Sequence, residues 1–157
     1  MFGLLSHRCP HDREAGVALV EFALVLPVLL AVLLGMLDFG RALNYWIDET
    51  HLANEGARWA VVNRNPGSTT LQQYIQEQAD TAELRNGSSS VTRAAQVCIG
   101  FPNGTQTVGD PVRVIVSAAY SWLPFLRIGV ATTTITGSAT MRLEANPTNY
   151  GVGCYPL

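Results

Sequence analysis

The hydrophobic pattern divides the chain into an apolar run, an amphipathic stretch and a mixed C-terminal part. Residues 17–37 are almost uniformly apolar and are interrupted only by Glu21 and Pro27. An α-helix needs about 20 such residues to cross the hydrocarbon of a bilayer. The run is too long for the apolar region of a cleavable signal, and no small-x-small site follows it. The pattern therefore predicts a retained membrane-spanning helix.

After the run, apolar residues recur at spacings of three and four, the pattern of an amphipathic helix. This face comprises Phe39, Leu43, Ile47, Thr50, Ala53, Ala57, Ala60 and Val61. The segment "NRNPGS" then stops the helix. One helix from about residue 17 to residue 63 is predicted, and we expect Phe39, Leu43 and Ile47 to pack beneath a domain. The alternative is two helices with a hinge near Gly35 or Gly40.

The remaining residues, 65–157, read as a small mixed domain. Thr69 and Gln72 resemble a capping box and predict a short helix from about residue 70 to residue 84. The segments "VTRAAQVCIGF", "VRVIVSAAYSW" and "VATTTITGSATMRLE" are typical of strands, with turn signals at Asn103-Gly104 and Asp110-Pro111. The tail "ANPTNYGVGCYPL" is predicted to be irregular. The expected fold class is α+β, with a long helix, a short second helix and an antiparallel sheet.

Charges on either side of the apolar run set its expected orientation. Arg8 and Arg13 precede the run, whereas Asp38, Asp48 and Glu49 follow it. Because basic residues favour the cytoplasmic side of a membrane, the N-terminus is predicted to lie in the cytoplasm and the domain outside it.

The cysteines divide between the two predicted sides of the membrane. Cys9 precedes the span, and Cys98 and Cys154 follow it. In that orientation Cys98 and Cys154 share an oxidising compartment, where a disulfide forms readily. The prediction is a Cys98–Cys154 disulfide, and the alternative is two unrelated buried thiols.

Sets of residues for catalysis, metals or nucleic acids are not evident in the sequence. The net charge is −2 without a basic stripe, so nucleic-acid binding is not expected. His51 is the one histidine after the span, and no catalytic triad can be argued around it. The group His7, Cys9 and His11 is too short to predict a metal site, and Asp38-Phe-Gly lacks the other kinase motifs. We therefore expect neither an enzyme nor a bound cofactor or metal.

The segment "AGVALVEF" resembles the processing site of type IV pilin-like precursors. In that superfamily a membrane-embedded peptidase cuts on the cytoplasmic side after a glycine, and a glutamate is the fifth residue of the mature chain. The resemblance implies cleavage between Gly16 and Val17, with Glu21 at the fifth position. Phe22 matches the aromatic residue that follows the glutamate in the Flp, or tight-adherence, branch.

A wider resemblance extends over the predicted helix. The segment "GVALVEFALVLPVLLAVLLGMLDFGRALNYWIDETHLANEGARWAV" resembles TadE-like pilus-assembly proteins, and "VRVIVSAAYSWLPFL" with "ITGSATMRLE" resembles their sheet region more loosely. The implied fold is pilin-like. It has a leader at 1–16, a span at 17–37, a helical continuation at 38–64 and an extracytoplasmic domain at 65–157.

The resemblance implies a minor pilin or pseudopilin of the bacterial inner membrane. Its implied partners are the prepilin peptidase, other pilin-like subunits, the tight-adherence secretion machinery and the lipid bilayer. Major Flp pilins are much shorter, which favours an accessory role. The competing hypotheses are a permanently anchored extracytoplasmic binding or adhesion module and, less favoured, an anchored enzyme.

Glu21 has a physical role in the first hypothesis. A carboxylate in hydrocarbon costs about 2.5–3.5 kcal/mol even on insertion scales. Pairing with the new α-amine of Val17 in a neighbouring subunit would lower that cost, so Glu21 is a candidate assembly residue. An interfacial glutamate without a partner is the alternative. Pro27 is expected to loosen the helix near Ala23, either to ease extraction from lipid or as a tolerated membrane proline.

Overall fold

The computed structural model describes residues 11–122 and 132–156, with side chains described from Gly16 onward. Helix α1 spans His11–Val61, and two short helices follow, α2 at Leu71–Glu77 and α3 at Ala82–Asn86. Four strands complete the described chain: β1 at Gln96–Gly100, β2 at Pro111–Ser121, β3 at Thr132–Arg142 and β4 at Gly153–Tyr155. The predicted α+β class, with a long apolar helix and an antiparallel sheet, is confirmed.

Helix α1 is assigned as one element that continues through Gly35, Gly40 and Pro27. It ends near the predicted stop, where Asn63 adopts a left-handed conformation with φ of 49°. The Asn63 side chain then accepts hydrogen bonds from the backbone N–H groups of Thr148 and Asn149, each at 3.0 Å. By contacts the chain forms two compact units, one ending at Leu37 and one beginning at Asp38.

The sheet has the strand order β3-β2-β1-β4, and its strand pairs are antiparallel. Strand β2 pairs with β3 over eleven residues in continuous register, from Pro111 opposite Arg142 to Ser121 opposite Thr132. Alternation along β2 sends its even-numbered residues inward and leaves the odd-numbered residues on the outer face. The connector "LPFLRIG" between β2 and β3 lies outside the described residues.

The core of the second unit lies between the inner face of the sheet and the later turns of α1. Small residues on α1 allow this close packing, because a Cβ at Gly56 would meet both Ile75 of α2 and Val114 of β2. Tyr45 of α1 lies beside Tyr120 of β2, with ring centroids 5.6 Å apart. The buried core also includes Leu52, Ala53, Ala57, Ala60, Leu71, Leu84, Val97, Ile99, Val112 and Val116.

Three details of the predicted C-terminal part are wrong. The single helix over residues 70–84 is instead two helices, and its N-cap is Thr70, whose hydroxyl accepts the Gln73 N–H at 3.2 Å. Gln72 does not complete a capping box, because its side chain is buried and donates to the Gly151 carbonyl. The tail is not wholly irregular, since β4 pairs with β1.

Candidate functional site

The predicted processing motif lies in the first described turns of α1. Gly16, Val17, Glu21 and Phe22 are all exposed, and the bond between Gly16 and Val17 is helical. Glycine lowers helix stability by about 1 kcal/mol relative to alanine, so Gly16 is a weak point in this turn. A Cβ at Gly16 would meet no atom within 4 Å. The motif is therefore open to a partner along its length.

Glu21 and Val17 lie one helical turn apart on the same face of α1. Four residues rise about 6 Å along a helix, which is the separation of their backbone positions along the axis. The apolar residues around Glu21 include Val17, which is 59% exposed, and Phe22, which is 62% exposed. A chain beginning at Val17 would thus carry opposite charges one turn apart at the start of an apolar helix.

The apolar part of α1 is exposed. Its most apolar 18-residue window has a mean hydropathy of 2.8, and none of it is buried. A helix that is apolar on all sides needs an apolar environment, such as a bilayer or other helices. One long N-terminal helix is therefore a candidate membrane span, compatible with single-pass anchoring. Pro27 within it leaves the Ala23 carbonyl without its helical donor.

The predicted packing face after the span is wrong in its first turns, although its later members Ala53, Ala57, Ala60 and Val61 are buried as predicted. Phe39, Leu43 and Ile47 are exposed, at 56%, 43% and 61%. The buried positions in these turns are instead Asp38, Ala42, Tyr45, Asp48 and Glu49. The packing face of these turns thus lies about 150° around the helix from the face that Phe39, Leu43 and Ile47 define. Apolar spacing failed to locate it because three of its members are acidic.

The three buried carboxyl groups of α1 have different surroundings. Asp38 accepts a hydrogen bond from the Tyr120 hydroxyl. Asp48 faces the start of α3, where it accepts the Thr81 N–H at 3.3 Å and the Asp80 N–H at 3.4 Å. Glu49 is 0% exposed, and neither of its carboxyl oxygens has a hydrogen-bond partner. Sequence reasoning treated these residues only as charges that follow the span.

Tyr45 and Tyr120 donate hydrogen bonds to acidic side chains of α3 and α1. Tyr45 donates to Glu83 of α3 at 2.8 Å. Burial, followed by the hydrogen bond to Glu83, raises the pKa of Tyr45 to about 12. Burial, followed by the hydrogen bond to Asp38, also raises the pKa of Tyr120 well above its ordinary value. Both hydroxyls therefore remain protonated donors at neutral pH.

Cys98 and Cys154 are joined by a disulfide across the β1–β4 pair. They are directly opposite each other in the strand register. The bond holds the tail to the sheet, where Gln72 also contacts the tail carbonyls and Gln96 donates to the Pro156 carbonyl at 3.0 Å. The tail thus forms a strand because tertiary contacts place it beside β1.

The other candidate groups do not form a catalytic arrangement among the described residues. His51 is exposed on α1. Within the described ranges, no group of three or more His, Cys, Asp or Glu side chains is placed to hold a metal ion. His7 and Cys9 lie outside these ranges, and the side chain of His11 lies outside the described side chains.

Comparison with known proteins gives one match. Residues 16–58 match the family model of TadE-like proteins, which is consistent with a TadE-like pilus-assembly protein. The resemblance predicted from the helix is confirmed over these residues. The match includes Gly16, the apolar run and the α1 turns that pack on the sheet, whereas the strand segments lie outside it. The searches of curated proteins and of solved structures found no match.

Proposed function

We propose that this chain is a minor pilin or pseudopilin that takes part in the assembly of tight-adherence pili or of the associated secretion apparatus. The TadE-like match to residues 16–58 carries this proposal, since that family suggests involvement in Tad/Flp pilus assembly. The family is structural rather than catalytic. The exposed apolar helix and the separate folded domain support an assembly component with an anchor and an extramembrane part.

Processing is the first step of the proposed function. A prepilin peptidase cuts between Gly16 and Val17, removes residues 1–16 and leaves Val17 with a free α-amine. The absence of a side chain at Gly16 supports this site, because the backbone there can be approached closely. The start of the family match at residue 16 also supports it. The peptidase must unwind the first turns of α1 to reach the bond.

Glu21 is the proposed assembly residue. In lipid it lies close to the end of the span and can extend toward the interface. In a filament its carboxylate pairs with the Val17 α-amine of a neighbouring subunit, and Phe22 packs beside it. A buried ion pair fixes the register between neighbouring subunits more reliably than it adds net stability. Glu21 therefore selects the position at which a subunit joins its neighbours.

Orientation follows from the flanking charges and from the disulfide. The leader arginines support a cytoplasmic N-terminus. The Cys98–Cys154 disulfide supports an oxidising compartment for the domain, such as the periplasm or the cell surface. In this arrangement the protein is single-pass in the inner membrane before assembly. Its partners are the bilayer, the peptidase, other pilin-like subunits and the secretion machinery.

A permanently anchored binding or adhesion module is the second candidate. Three apolar residues on the domain side of α1 are exposed: Phe39, Leu43 and Ile47. They favour an anchored module only if they contact a partner outside a filament. Processing and recovery in filaments distinguish the two candidates. An anchored module keeps its leader or stays with the membrane, whereas a pilin-like subunit does not.

The test follows the protein into sheared filaments. Wild type, Glu21→Ala and Glu55→Ala are expressed with the tight-adherence components, and the sheared and membrane fractions are probed for the chain. Glu55 is the control, because it lies later on α1 and its carboxylate accepts from Trp59 of the same helix at 3.0 Å. The proposal predicts that Glu21→Ala is processed but fails to enter filaments or to support them. Normal piliation with Glu21→Ala removes the role of Glu21.

A further inference from the structure

In the described part of the chain, Glu49 is the residue whose buried side-chain oxygens have no hydrogen-bond partner. It is 0% exposed, and both carboxyl oxygens lack hydrogen-bond partners. Burying an unpaired carboxylate is far more costly than burying a neutral carboxylic acid. The position of this group therefore favours the protonated form whenever the domain is folded.

The backbone of Glu49 lies directly against strand β3. A Cβ at Gly137 of β3 would lie 2.4 Å from the carbonyl carbon of Glu49 and 2.5 Å from the Thr50 nitrogen. Only a glycine on β3 permits the helix to come this close. The contact is thus a point where α1 and the sheet touch backbone to backbone.

Among the described residues, no cation acts on the Glu49 carboxyl. On its own helix the neighbouring charge is Asp48, which is itself buried and accepts hydrogen bonds from α3. The contact on β3 is Gly137, and on β2 the Ala118 backbone favours the ionised carboxyl but lies outside hydrogen-bond geometry from both of its oxygens. The hydroxyls of Tyr120 on β2 and Tyr45 on α1 donate to Asp38 and Glu83.

We propose that Glu49 is a proton-dependent latch between α1 and the sheet. The helix docks at Gly137 with the Glu49 carboxyl protonated, and ionisation of that carboxyl loosens the contact. The latch goes beyond pilus assembly, since it concerns the fold of the domain whatever its partners. It makes the docking of α1 sensitive to the pH of the compartment in which the domain lies.

The direction of the pH dependence follows from proton linkage. Burial, and then the negative charge of Asp48, raises the pKa of Glu49 from 4.5 to about 8, and the Ala118 backbone opposes this only partly. The folded chain therefore holds a proton that the unfolded chain releases between these values. The stabilising contribution is full below the unfolded pKa and is lost as the pH rises through the folded pKa. Docking is firmest in acid and weakest in alkali.

The first experiment measures thermal unfolding of the full chain in detergent micelles from about pH 5 to about pH 9. Wild type is compared with Glu49→Gln and with Glu144→Gln, a control at an exposed glutamate. We expect the melting temperature of wild type and of Glu144→Gln to fall with pH by about 5 °C or more relative to Glu49→Gln. Equal pH dependence in wild type and Glu49→Gln would overturn the latch.

A second measurement does not depend on the folding of a variant. Carbon NMR of glutamate-labelled wild-type protein follows each side-chain carboxyl through its titration. The latch predicts one glutamate carboxyl with a midpoint above about pH 7, because the folded domain retains that proton. If every glutamate carboxyl titrates below about pH 6, the latch is wrong.

Discussion

The hydroxyl of Tyr120 donates a hydrogen bond to the carboxylate of Asp38 and lies 3.1 Å from the carbonyl oxygen of the same residue. Tyr120 is near the end of β2, and Asp38 is the first residue of the second compact unit. Both side chains are buried. This contact fixes the start of the packed part of α1 to the sheet, directly after the apolar run.

Replacing Tyr120 with Phe should destabilise the domain by about 1–3 kcal/mol. The variant keeps the ring but removes the donor to a buried carboxylate, and hydrogen bonds to charged groups are worth more than neutral ones. Tyr150→Phe is the matched control, because that hydroxyl donates at 2.8 Å to the neutral carbonyl of Ala60. Chemical unfolding of both variants measures the loss of unfolding free energy. A loss for Tyr120→Phe that is equal to or smaller than the loss for Tyr150→Phe would contradict the larger contribution assigned to the Asp38 contact.

Gly137→Ala should cost about 1–3 kcal/mol or more, because the added Cβ would overlap the Glu49 backbone. Gly56→Ala should cost less, since the closest atom there is the Ile75 Cδ1 at 2.5 Å, the far end of a flexible side chain. Gly100→Ala, at a strand position with nothing within 4 Å, serves as the control. The expected order of melting temperatures is Gly100→Ala highest and Gly137→Ala lowest. A different order would show that α1 does not approach β3 at this point.

Removing the disulfide should destabilise the domain and release the tail. Cys98 and Cys154 are separated by 56 positions. For a loop of this size, the chain-entropy model predicts that the disulfide adds about 4 kcal/mol to the free energy of unfolding. The paired replacement Cys98→Ser and Cys154→Ser should lower the melting temperature and increase amide exchange in β4 before β1. Cys9→Ser is the control, and it should leave both measurements unchanged. A double variant as stable as wild type would contradict a structural role for the bond.

Substitutions in the exposed apolar residues of α1 should barely affect the stability of the isolated protein. Phe39→Ser and Ile47→Ser change residues that are 56% and 61% exposed, so each should shift the free energy of unfolding by about 0.5 kcal/mol or less. Leu52→Ser, at a buried position further along α1, should cost several times more. Large losses for Phe39→Ser and Ile47→Ser would restore the packing face that the spacing of apolar residues predicted.

The sequence predicts the type of each large element well, because these elements depend on local patterns. The uniform apolar run and the "NRNPGS" stop predict the long helix. Alternation and β-branched residues predict β2 and β3. Turn residues such as Gly104, with φ of 73°, mark the loop between β1 and β2. The resemblance to TadE-like proteins also rests on a local pattern and is confirmed for residues 16–58.

Features that depend on distant contacts could not be predicted in this way. The packing face of α1 includes Asp48, whose carboxylate accepts the N–H groups at the start of α3, and this arrangement requires the folded domain. The same contact accompanies the division of the predicted second helix into α2 and α3. Strand β4 lies in a sequence rich in Gly and Pro and forms beside β1, where Cys154 is bonded to Cys98.

The residue at the N-terminus of the mature protein tests the central claim most directly. Wild type, Gly16→Leu and Gly35→Leu are each expressed with a prepilin peptidase, and the intact mass and the first residues are determined. Gly35 is the control, because a Cβ at Gly35, like one at Gly16, would meet no atom within 4 Å. A pilin-like precursor predicts that wild type and Gly35→Leu begin at Val17, whereas Gly16→Leu keeps its leader. A wild-type chain that still begins at Met1 in the presence of an active peptidase would contradict the account.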